Sequence, residues 1–182
     1  MKYWDKKGKG CTAETVKAAL ARAKELDIEH IVVASNSGET AELFLDQGLQ
    51  VTCVTHQVGF KEPGVDEMAP EVRKRLLEKG ANVLTTTHLL AGVDRALRFK
   101  FEGVYPAEIV SSTLRLLGQG VKVCVEISVM ALDAGMIPYG EEIVAVGGTG
   151  MGADAAVVIA PAHSSQFFDT KIKEIICMPR EK

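Results

Sequence analysis

HIVVASNSGET, residues 30–40, reads as a buried strand, a turn of small polar residues and a helix start. Ile31, Val32, Val33 and Ala34 form a short apolar run of the kind found inside a parallel sheet. Ser35, Asn36, Ser37 and Gly38 follow at once, and Ser37 or Gly38 suits an N-cap. The helix then runs through Glu39, Thr40 and Ala41–Leu45 to about Gln47, with Gly48 at its end. Such a turn sets backbone N–H groups, hydroxyls and a helix start at the carboxyl end of a strand, where anions bind. The same residues also fit an ordinary capped turn that holds nothing.

Working outward, the pattern of strand and helix repeats. Thr12–Leu26 is a helix, with Thr12 as its cap and Val16, Leu20, Ala23 and Leu26 on one apolar stripe. Gln50–Thr55 is a second strand ending in Thr55, His56 and Gln57, followed by a loop, Val58–Ala69, broken by Gly59, Pro63 and Gly64. Pro70–Lys79 is a helix, and Ala81–Thr87 a third strand ending in Thr85, Thr86, Thr87 and then His88. Three strands therefore finish in polar tips, which an open α/β sheet gathers along one edge, where ligands bind. The preference of threonine for strands explains the hydroxyls, but not the two histidines just beyond.

Leu89–Gly103 interrupts the alternation as a short helix and a basic-aromatic turn, Arg98-Phe-Lys-Phe101. It reads as an insertion, spanning 89–105, that folds over the site or meets another subunit. Pro106–Leu117 is a helix stopped by Gly118. Val121–Gly135 fits both strand and helix periodicities, and its length without a turn favours helix. Glu142–Val146 is the fourth strand, Ala155–Ala160 the fifth and Ile172–Met178 the sixth. Between the fourth and fifth lie Gly147, Gly148, Thr149, Gly150, Met151, Gly152, Ala153 and Asp154. Gly148–Ala153 matches the dinucleotide fingerprint GxGxxA, but the context fails, because a strand follows where a helix should open. The better reading is a glycine loop whose backbone comes close to a ligand. A bulky residue in place of Gly38 or Gly150 is then expected to weaken binding more than stability.

Composition narrows the classes. The chain has 182 residues, a net charge of −3, few aromatics and neither a basic nor an acidic tail. These features speak against nucleic acid and against a membrane surface. The amino terminus lacks the apolar run of a signal peptide, and no stretch approaches a membrane span. Cys11, Cys53, Cys124 and Cys177 stand far apart and read as reduced core thiols of a cytoplasmic protein. His30, His56, His88 and His163 show no short metal-ligand spacing.

At this point the residues carry a family likeness. Ile31–Ala41, the Val54-Thr55 pair, the helix Val121–Gly135 and the run EIVAVGGTGMGADAAVVIAP resemble, in order and spacing, the C-terminal α/β domain of pyruvate kinase. The resemblance covers roughly His30 to Pro161 and implies a single three-layer α/β domain over 1–182, with a C-terminal extension at 162–182. It implies a mostly parallel sheet of order 3-2-1-4-5, the fifth strand antiparallel and the sixth extending that end. In allosteric pyruvate kinases the matching turn and glycine loop hold the phosphates of a sugar bisphosphate. That points to Ser35, Asn36, Ser37, Gly38, Glu39 and Thr40, and to Gly147–Gly152. Glu39 and the absence of a Trp-Arg-Pro run favour one phosphate over two.

The kinase chemistry of that family lies in a barrel absent from these residues, so pyruvate kinase activity is not expected. The chain most resembles small stand-alone archaeal and bacterial proteins of this fold, which implies bound flavin mononucleotide (FMN). Its ring would use Thr55, His56, Gln57, Thr86, Thr87 and His88 with Val58, Phe60 and Met151, and Asp154 closes the candidate set. The alternative is a non-enzymatic sensor or assembly domain for a phosphorylated metabolite. A homo-oligomer is among the expected partners, with the Tyr3-Trp4 arm and the insertion as candidate contacts.

Overall fold

Alternation along the strands sorts their side chains onto two faces and so makes three layers. The structure, a computed structural model, describes residues 1–181. Its seven strands are β1 (Lys2–Trp4), β2 (His30–Ala34), β3 (Gln50–Val54), β4 (Asn82–Leu84), β5 (Ile143–Gly147), β6 (Ala155–Ala160) and β7 (Lys171–Pro179). Its α-helices are α1 (Thr12–Glu25), α2 (Glu39–Glu42), α3 (Pro70–Glu78), α4 (Gly92–Phe101), α5 (Pro106–Leu114) and α6 (Gln119–Asp133). Ile31 and Val33 enter one core with Val16, Ala19 and Ala23 of α1, Phe44, Met68 and Leu76. Val32, between them, enters the other core with Val121, Cys124 and Val125 of α6.

The sheet runs β1-β7-β6-β5-β2-β3-β4. The expected order 3-2-1-4-5 is present as β4-β3-β2-β5-β6, with β6 antiparallel to β5 through Ile143 opposite Ile159 and Gly147 opposite Ala155. The sixth segment, β7, extends that end antiparallel to β6. Beyond it lies one strand the sequence reading did not anticipate. β1 pairs parallel with β7, Lys2 opposite Cys177, and Trp4 packs on the α1 core. The Tyr3-Trp4 arm thus has its partner in its own chain.

Four local readings change. The helix after Gly38 lasts one turn, because Leu43, Phe44 and Leu45 donate to carbonyls three residues back rather than four. That tighter winding delivers Phe44 fully into the core. The third strand stops at Leu84, where Thr55 N–H takes the Leu84 carbonyl and the ladder ends. The basic-aromatic segment Arg98–Phe101 is the last turn of α4, not a turn after it. Thr12 does not cap α1: its hydroxyl accepts from Ala153 N–H (3.0 Å), tying α1 to the glycine loop.

The ambiguous segment is a helix, and α6 is buried on nearly every side. Residues apolar all round fit strand and helix patterns alike, which is why periodicity could not decide it. Its start lies hard against the sheet: a Cβ on Gly120 would come within 2.6 Å of Ala155, and one on Gly147 within 2.5 Å of the Gly120 carbonyl. Only glycines allow helix and strand to approach so closely. All four cysteines are buried thiols, and burial pushes Cys53 up to about 12 and Cys177 to about 11. Among the described residues no helix is long and apolar enough to cross a membrane.

Candidate functional site

A cleft of about 860 Å³ opens at the carboxyl edge of β2, β3 and β5. It gathers Ser35, Asn36, Ser37, Glu39, Thr40, Thr55, His56 and His88 with Gly148, Gly150, Met151 and Gly152 of the glycine loop. Those, with Phe60, are the sequence-expected residues that share one space. Gly38, Gln57, Val58, Thr86, Thr87, Gly147, Thr149 and Asp154 do not line it. Gly38 faces α3 instead, where a Cβ would meet Val72 Cγ1 at 2.4 Å. Asp154 lies fully buried behind the loop, and its Oδ2 accepts from Gly8 N–H (2.8 Å) and Thr149 N–H (3.1 Å). It shapes the loop from behind.

The first turn is more committed than its sequence suggests. Ser35 Oγ, itself buried, accepts from Thr40 and Ala41 N–H at 3.2 and 3.4 Å. Ser35 is therefore the capping side chain of α2, and with one turn of helix behind it the dipole there is small. The long helix at the cleft is α6. Its first residues, Gln119, Lys122 and Val123, line the space, and 15 residues of aligned peptide dipoles stand behind them.

His56 is fixed on both ring nitrogens. Its backbone N–H donates to Asn36 Oδ1 (2.9 Å), which turns the Asn36 amide nitrogen toward His56 Nε2 (3.0 Å). Nε2 then accepts, and Nδ1–H donates to Glu67 Oε1 (2.8 Å), a tautomer assigned from this network. Burial pushes Glu67 up, but Lys61 at 2.5 Å and His56 outweigh it, so its carboxyl titrates below the ordinary range. Phe60 lies on the His56 ring, centroids 3.9 Å apart, and His88 stands 5.2 Å from both. Arg95 of α4 sits 5.7 Å from the Phe60 centroid. The result is an aromatic corner with a cation at its rim.

The same cleft holds cations that the sequence reading missed. Arg115 donates to Gln119 Oε1 and Ser111 Oγ, both 2.7 Å. Lys122 and Glu126, one turn apart on α6, form a buried ion pair on the cleft wall. Glu126 Oε1 also accepts from Leu90 N–H (2.8 Å), fastening the start of the insertion. Lys9 reaches Glu39 at 3.5 Å across the open side, an exposed pair. A signal for these existed in part: Lys122 and Glu126 are four apart in an otherwise apolar run, the spacing of facing helix residues. Arg95 and Arg115 carried none, since only the tertiary path of α4 and α5 brings them here. Among the described residues, no group of three or more His, Cys, Asp and Glu side chains could hold a metal ion.

Burial of His88 holds its imidazole below the ordinary value of 6.5, with Glu126 opposing only in part. The unfolded chain then binds a proton that the folded chain does not. The associated stability is present above 6.5 and is lost as pH falls toward the lower folded value. The unfolding midpoint should therefore drop on acidification through this window, and His88→Gln should flatten that slope. An unchanged slope in the variant would remove His88 from the account.

Residues 13–159 match the family described as "Pyruvate kinase, alpha/beta domain". Among solved structures the chain is similar to a pyruvate kinase from Cryptosporidium parvum, at 17% identity over 84% of this chain and 24% of that one, TM-score 0.39. It is similar to the same organism's pyruvate kinase in complex with ADP, at 16% identity with the same coverage and TM-score 0.39. A further crystal structure of that enzyme matches at 15% identity over 78% of this chain and 22% of that one, TM-score 0.35. The chain spans about a quarter of the length of these enzymes.

Proposed function

Because the chain belongs to the pyruvate kinase α/β-domain family, we propose that its cleft binds a phosphorylated small molecule in the cytoplasm, with FMN the best-fitting candidate. The reading assigns binding and leaves the physiological reaction open. One observation carries it: a single cleft gathers Arg115, Lys122 and the glycine loop with an aromatic corner of His56, Phe60 and His88. A volume of about 860 Å³ suits a cofactor-sized ligand. The phosphate would be held by Arg115, the start of α6, the backbone of Gly148 and Gly150, and the Thr40 hydroxyl. The ring system would lie against Phe60 and Met151, with the His56 and His88 imidazoles beside it and His56 held by Glu67. Bound flavin supplies one- or two-electron transfer. The chain's own part is to orient it, exclude water and keep His56 in one tautomer.

An absorbance scan of the purified protein and of its heat-released supernatant tests this directly. Flavin bands, or their appearance on titration with FMN, support the reading. Arg115→Gln should weaken FMN by about 10-fold or more, the worth of a charged hydrogen bond, while sparing riboflavin, which lacks the phosphate. Phe60→Ala should weaken both. If neither flavin binds, FMN is ruled out. A phosphorylated metabolite that raises the melting temperature would then mark a colourless sensor site.

A further inference from the structure

Helix α4 is loosely anchored beside the cleft. None of its ten residues is buried. Its neighbour α5 is fixed to the body, with Ser111 buried and Leu114 packed against the core that α6 shares with the sheet. α4 is tied to α5 by polar contacts: Asp94 Oδ2 accepts from Ala107 N–H (2.9 Å), and Arg98 pairs with Glu108 (2.7 Å). A partly exposed pair of that kind contributes little. A helix of ten residues is marginal in water on its own, so such contacts leave α4 at the low-stability end of the molecule.

The backbone turns sharply on both sides of α4. Gly92 opens the helix at φ +46°, and after Phe101 come Glu102 (φ +61°, ψ −168°) and Gly103 (φ +89°). The Glu102 values fall in a region that only glycine enters without strain. Glu102 N–H also donates to the Arg98 carbonyl (2.9 Å), so the strain is tied to the helix being in place. Arg95 is the α4 residue that lines the cleft, and its guanidinium lies 5.7 Å from the Phe60 centroid at the aromatic corner. The observed position of α4 is thus opposed by strain at Glu102 and favoured by a cation–aromatic contact of similar size. Two positions of the helix then lie close in free energy, and a ligand that touches only one of them selects it.

We propose that α4 is a gate over the aromatic corner, opening about Gly92 and Glu102–Gly103 and closed by the ligand through Arg95. The ligand's part rests on the binding reading above; the opening itself does not. Once off α5, α4 is too short to stay helical, so opening exposes its amides. Hydrogen exchange read by mass spectrometry on the full chain should show 92–101 exchanging far faster than 119–133, the span of α6. Glu102→Gly relieves the closed position and should slow exchange of 92–101 at least about 5-fold, the lower range of what such strain is worth. Glu102→Ala removes the same carboxylate but keeps the strain, and should not slow it. Saturating FMN should slow the same segment in the parent chain. Exchange of 92–101 as slow as that of 119–133, no slowing by Glu102→Gly, or equal slowing by Glu102→Ala would each overturn the proposal. FMN that binds by absorbance titration yet leaves 92–101 unchanged would overturn closure by the ligand and spare the binding reading. FMN that does not bind would sink that reading, and the two Glu102 variants would still decide the opening.

Discussion

Gly38→Val should lower the unfolding free energy by about 4 kcal/mol, from backbone strain and overpacking together. Gly38 has φ +87°, a left-handed conformation that a β-branched residue adopts only under strain. A Cβ there would also lie 2.4 Å from Val72 Cγ1 and 3.4 Å from Leu76 Cδ1, both on α3. The two contributions separate. Gly38→Ala combined with Val72→Ala removes the colliding methyl and should recover the packing part, leaving the φ part in place. Urea denaturation followed by circular dichroism measures both. A Gly38→Val protein within about 1 kcal/mol of its parent would contradict this placement of Gly38. The expectation that a bulky residue here would chiefly harm binding gives way to an expected loss of stability: Gly38 faces α3 and does not line the cleft.

Breaking the buried pair on α6 should have an effect of similar size. Glu126→Ala leaves the Lys122 ammonium without its carboxylate and Leu90 N–H without its acceptor, at a cost of about 3–5 kcal/mol. Both side chains are under a tenth exposed, so solvent does little to screen the loss. The joint substitution Lys122→Met with Glu126→Leu removes both charges and should recover much of that stability. Thermal and urea unfolding of the two variants test the contrast. If Glu126→Ala unfolds like the parent, the pair is solvated and contributes little. FMN titration of the charge-free double variant then asks a separate question, whether Lys122 also contributes to the proposed phosphate contact.

The sheet was legible in the sequence because its strands are short apolar runs punctuated by glycine and polar tips, and that pattern depends on nearest neighbours alone. Order and antiparallel closure followed from the resemblance, since no local rule places β5 beside β2. The same locality explains what was missed. Ser35 lines the cleft as expected, but the sequence did not show that its hydroxyl also caps its own helix at Thr40 and Ala41. Thr12 looked like a cap and instead holds Ala153, more than a hundred residues away. Arg95 and Arg115 enter the cleft by the path of a hairpin whose apolar side faces outward, a feature invisible to periodicity. Convergence of the strand tips was readable in outline, and His56 and His88 do meet across Phe60. The neighbouring Thr86 and Thr87 fall outside because β4 ends at Leu84.

The bond from Gly8 N–H to the Asp154 carboxylate joins residues 146 positions apart, and that from Ala153 N–H to Thr12 spans nearly as far. Contacts of such sequence separation form late, since the intervening chain must first be ordered. A growing polypeptide that has produced β2, β3 and β4 already has its strand tips, but the loop opposite them acquires its shape only when Asp154 emerges and the amino-terminal segment folds back onto it. Ligand present during synthesis would therefore find no finished pocket to reward. It would act only once the chain is complete, stabilising the finished fold and doing nothing for the nascent chain.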